Sequence, residues 1–110
     1  MSPRVLQILL SLLDGPLHGY GIKQSVEERT DGALRLGSGA LYDGIARLVE
    51  EGLVEEVPAS SKEPASGGPP RRFYALTKIG RGALEEELRR MDAVVRFARE
   101  RKLIGREPAS

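Results

Sequence analysis

The chain of 110 residues has no cysteine and no tryptophan, only two phenylalanines and three tyrosines, and a single histidine. Without cysteine there is no disulfide framework, no thiolate metal site and no thiol nucleophile, so nothing requires an oxidising compartment and a cytoplasmic location is expected. So little aromatic area means that a core must rest on Leu, Ile, Val and Ala, and stability is expected to be marginal without a partner. The length allows one core rather than two. The apolar run from Val5 to Leu13 is about half of what crosses a bilayer and reads as a core helix, not an anchor or leader. Charge of one sign is lacking too: 17 basic and 16 acidic residues leave +1, so any electrostatic case for nucleic acid must come from how the charges are distributed. The chain offers no paired carboxylates in a defensible pocket, no glycine-rich phosphate loop and no nucleophile with its base. His18 has no co-ligands nearby. An enzyme is therefore not expected, nor a metal or cofactor, and His18 is assigned a structural place at the start of a helix.

What is present is a succession of short amphipathic segments. From Pro3 to Leu13 nearly every position is apolar, with Gln7 and Ser11 the exceptions, which predicts a first helix covered on several sides. Asp14, Gly15 and Pro16 end it. A second helix is predicted from His18 to Thr30, with Ile22 and Val26 four apart, until Asp31 and Gly32 stop it. Ser38 is read as the N-cap of a third helix with the buried stripe Leu41, Ile45, Leu48, Val49, ending at Gly52. Residues 53–57 and 72–76 have strand length and strand composition. Between them, Pro58 to Pro70 holds four of the seven prolines, three serines and two adjacent glycines, which predicts a hairpin with a turn-rich tip. Thr77 is read as the cap of a last helix running to about Leu103. The predicted fold is mainly α with a small two-stranded hairpin, a winged helix-turn-helix with a C-terminal helix. Residues 1–76 form the winged domain, 77–104 a dimerisation helix and 105–110 a frayed tail.

The stretch from Leu12 to Ile22 (LLDGPLHGYGI) closely resembles the opening motif of the PadR family of bacterial transcriptional regulators. Ser38 to Tyr42 (SGALY) resembles that family's recognition-helix start, and Arg71 to Thr77 (RRFYALT) its second wing strand and exit. Three blocks in order at these separations are hard to imitate. The resemblance covers residues 5 to about 103 and implies a homodimer that represses or modulates transcription, commonly released from DNA by a small hydrophobic or phenolic effector or by another signal.

The residues support the same reading independently. A helix amino end offers free amides and a positive dipole end to a phosphate, and Ser38 and Gly39 occupy it. Tyr42 lies one turn on, off the buried stripe, where its hydroxyl can reach phosphate or a base edge. Tyr20 and Lys23 on the preceding helix are further phosphate candidates. Between Ser60 and Arg81 the cations Lys62, Arg71, Arg72, Lys78 and Arg81 face only Glu63, a local excess that could lie along the backbone or enter a minor groove. Against this, Asp43 and Gly44 stand on the recognition helix where a base reader would gain from a donor, so specificity is expected to lean on the wing and DNA shape.

Residues 84, 88, 91, 95 and 98 alternate steps of four and three, a heptad seam with little of its own domain left to cover it. Leu84, Leu88, Met91, Val95 and Ala98, with Leu6 and Leu9 of the first helix, are the expected dimer contacts. Leu9, Met91 and Val95 are the expected lining of an effector cleft. The expected partners are a second copy of the chain, double-stranded DNA with a pseudo-palindromic operator and a small apolar effector, with no membrane. The competing reading is a winged helix serving as a protein-interaction module without specific DNA binding.

Overall fold

Ser2 opens the first helix: its hydroxyl accepts the Val5 amide at 3.2 Å, and Pro3 supplies the fixed φ favoured at a first helical position. The computed structural model describes residues 1–58 and 72–105. Its elements, in chain order, are α1 (Pro3–Ser11), β1 (Leu17–His18), α2 (Gly19–Arg29), α3 (Ser38–Glu50), β2 (Val54–Val57), β3 (Phe73–Leu76) and α4 (Lys78–Glu100). The expected element order is present, with two differences.

The first concerns the sheet. It has three strands, not two, in the order β1-β3-β2, all antiparallel. Leu17 pairs with Tyr74 and His18 with Phe73, so the turn ahead of α2 is stitched to the hairpin. A strand of two residues has no alternation to read, and its partners lie more than fifty residues away. The second concerns the ends of helices. The apolar run expected to be helical to Leu13 leaves the α-helix at Ser11, and Leu12 and Leu13 donate to Leu9 and Leu10, bonds that tighten the last turn.

Helix stops follow the local chemistry. Gly52, at φ +79°, lets the Leu53 amide reach back to the Leu48 carbonyl, and at the end of α2 Asp31, at φ 53°, turns the Gly32 amide onto the Glu27 carbonyl. At the end of α4 that left-handed position is taken by Lys102, at φ 62°, with the Leu103 amide on the Ala98 carbonyl.

The core is a single cluster. Ile8, Leu9 and Leu12 of α1 meet Ile22 and Val26 of α2, Leu41, Ile45 and Leu48 of α3, and Leu36, Val54, Tyr74 and Leu84. Gly44, costly in a helix interior, packs here: a Cβ on it would stand 3.4 Å from the Ile8 side chain. Arg29 fastens α2 to α1, donating to the Gln7 side chain and carbonyl, each at 2.7 Å, and to the Ser11 hydroxyl at 2.9 Å. Burial lowers its pKa from the ordinary arginine value without threatening its charge. The start of α4 is locked to the wing base, with Thr77 Oγ1 accepting the Gly80 amide and donating to the Gly52 carbonyl at 2.6 Å. No helix among the described residues is long and apolar enough to cross a membrane.

Candidate nucleic-acid interface

Three of the four described helices begin with a side-chain cap, provided by Ser2, His18 and Thr77; α3 does not. Its N-cap is Gly37, and Ser38, expected to be the cap, is instead the first helical residue and makes no capping bond. The reason is backbone conformation: Gly37 is extended at ψ 157° and Ser38 is already helical. The first turn of α3 thus keeps its amides free of a side-chain acceptor, with Ser38 and Gly39 exposed. Among the described residues, nothing beyond Gly39's own turn lies within 4 Å of where its Cβ would stand, so packing there does not require glycine.

Tyr42 is half exposed, and its ring lies over Gly19 at the start of α2. A Cβ at residue 19 would come within 2.6 Å of the phenol oxygen, so Gly19 is what allows Tyr42 to lie against α2. Tyr74, on which Tyr42 acts electrostatically, is buried against the core. Burial, with the nearby charge of Glu56, raises the Tyr74 pKa above its ordinary value of 10.0, and Arg72 pulls the other way. Arg72 is exposed and pairs with Glu56 at 3.8 Å. Gly19, Glu56 and Tyr74 were not among the residues expected at this surface. Their signal is tertiary: the β2–β3 register sets Glu56 opposite Tyr74, and Gly19 meets Tyr42 only where α2 packs on α3.

The other expected DNA contacts are spread more widely. Tyr20 is exposed and Lys23 half-buried on α2, and Lys78 is exposed in the first turn of α4. Lys62 and Arg71 lie outside the described residues. His18 holds the start of α2, its Nδ1 accepting the Gly21 amide at 2.9 Å, while its ring meets Phe73 edge to face at 5.4 Å.

The expected dimer seam divides in two. Leu9 and Leu84 belong to the protomer core at 0% and 1% exposure, so neither has surface to offer a partner or an effector. Leu6 is half-buried against the core. Farther along α4, Leu88 and Met91 are exposed and Val95 and Ala98 half-buried, and Val94 and Phe97 add still more apolar surface, at 68% and 57% exposure. With Leu9 sealed inside, the lining expected from Leu9, Met91 and Val95 is not brought together. An open groove of about 920 Å³ lies instead between the amino end of α1, α3 and the start of α4, bordered by Val5, Asp43, Arg47, Ala83 and Arg90.

Comparison with known proteins agrees with this architecture. Residues 8–86 match the family described as Transcriptional regulator PadR-like. The Transcriptional regulator Rv3488 of Mycobacterium tuberculosis is 31% identical over 91 residues, covering 83% of this chain and 78% of that protein. A 37.1 kDa protein in transposon TN4556 of Streptomyces fradiae is 37% identical over 84 residues, which are 76% of this chain but only 21% of the longer protein. Among solved structures, Bacillus subtilis PadR in complex with operator DNA superposes with a TM-score of 0.63 at 20% identity, over 96% of this chain and 49% of that one. The chain belongs to the PadR-like family of transcriptional regulators.

Proposed function

We propose that the protein is a sequence-specific DNA-binding repressor that works as a homodimer in the cytoplasm. The observation that carries this reading is the amino end of α3, which has no side-chain cap and whose exposed Ser38 and Gly39 precede a Tyr42 held against α2. Such an end attracts phosphate through its free amides and dipole. The structural relative bound to operator DNA supports the same use of the fold. On the exposed side of α3 Asp43 and Glu50 give no donor to base edges and Arg47 is paired with Glu51, so specificity leans on backbone position and DNA shape, with Tyr20, Lys23, Lys78, Arg72 and the wing cations Lys62 and Arg71 on phosphates. The exposed apolar positions of α4, with Leu6 of α1, pair with a second copy and set two recognition helices about one DNA turn apart. A small apolar effector would bind where the two α4 helices meet, near Met91 and Val95.

Gel-shift titration against the protein's own promoter region tests this. Sequence preference with steep salt dependence is expected; equal affinity for scrambled duplex would refute specific regulation and favour a protein-interaction module.

A further inference from the structure

Arg72 is the described cation nearest the wing tip, and it already has partners. Its side chain is 74% exposed, its Nε stands 3.8 Å from Glu56 Oε1, and its charge acts on the Tyr74 phenol. Glu56 is the cross-strand neighbour of Tyr74, and Arg72 precedes Tyr74 by two residues, so the alternation of extended chain turns all three toward one face. Tyr42 of α3 acts on the same phenol electrostatically. A phosphate arriving at Arg72 therefore meets a carboxylate already in place. An exposed ion pair is weak and screened by salt, so the two acceptors compete on nearly equal terms.

We propose that Glu56 is an intramolecular competitor for the DNA phosphate at Arg72, a brake that weakens the hold of the wing on the backbone. The proposal rests on the DNA-binding reading above and adds to it a residue that limits affinity. Phosphate contacts position a protein without reading bases, so the brake acts by the same factor on operator and non-operator DNA. It lowers the salt concentration at which the protein lets go.

Because the effect is independent of sequence, a mixed-sequence duplex at low salt reads it. Glu56→Gln is expected to tighten binding about three- to fivefold, while Arg72→Gln weakens it and lowers the salt slope by about one. In the Arg72→Gln background, Glu56→Gln should change affinity little. Glu55→Gln, whose side chain alternates to the opposite face, should also change it little. Thermal melts of all four variants exclude loss of fold as the cause. The brake is overturned if Glu56→Gln leaves affinity unchanged, if it tightens binding equally without Arg72, since Glu56 would then merely repel phosphate, or if Glu55→Gln matches it. Wild-type protein that binds no duplex even at low salt overturns the DNA-binding reading itself, and the brake with it.

Discussion

Gly80 sits where a helix crosses a strand end with no room to spare. A Cβ there would overlap the Leu53 carbonyl, standing 2.9 Å from its carbon, and backbone cannot rotate aside as a side chain can. Gly80→Ala is therefore expected to destabilise the fold by about 3 kcal/mol in chemical denaturation, although alanine is the better helix former. Gly44→Ala makes the opposite case. The gain of about 1 kcal/mol in helix propensity meets a 3.4 Å approach to Ile8 Cδ1, and the net change should be near zero. Tyr74 supplies a pH signature. Its phenol is neutral in both states below its ordinary pKa of 10.0; above it the unfolded phenol ionises while the buried one resists. Stability present below that value is thus lost as pH rises. Denaturation between about pH 9 and about pH 11 should show a loss in wild type that Tyr74→Phe reduces.

At the scale of elements, helices were readable because their signals are local. Leu41, Ile45 and Leu48, and Ile22 and Val26, are buried where the periodicity put them, and Thr77 caps α4, but Val49, placed in the same stripe, is 39% exposed because it lies beside the buried face rather than on it. What escaped depends on distant partners. Leu17 and His18 become a strand only because Phe73 and Tyr74 arrive beside them. The heptad spacing of α4 marked an apolar face but not how much of it the protomer would use, so Leu84, and with it Leu9 of α1, turned out to be core. Val94 and Phe97, off that spacing, were missed although they are more exposed than Leu88 or Met91. The cap of α3 shifted by one residue because Gly37 and Ser38 are equally plausible in composition and differ only in backbone angle. The end of α4 is the element most open to improvement. Lys102 holds a left-handed conformation that glycine adopts without penalty, so Lys102→Gly should stabilise the protein by about 0.5–1 kcal/mol, measured as a raised denaturation midpoint.

The whole molecule extends 56 Å along its longest axis but only 28 and 26 Å across. The α4 helix, 23 residues long, accounts for roughly 34 Å of length, and its far half carries apolar side chains that the protomer leaves exposed. If this surface is the dimer contact, Val94→Glu with Phe97→Glu should give a folded monomer by sedimentation and circular dichroism, with operator affinity falling by orders of magnitude. A double variant that remains dimeric would place the contact elsewhere. The joint at the root of the same helix would give a dimer paired through α4 a mechanical character. Thr77 is hydrogen-bonded to Gly52, its amide to the Leu53 carbonyl, and Gly80 rests on that same residue, so α4 cannot pivot without carrying β2 along. The helix is then a lever with a welded fulcrum. In such a dimer, a change of about five degrees in the angle between the two α4 helices would sweep the proposed DNA-facing end, at the far side of a roughly 34 Å arm, through about 3 Å, comparable to one base-pair step along the groove.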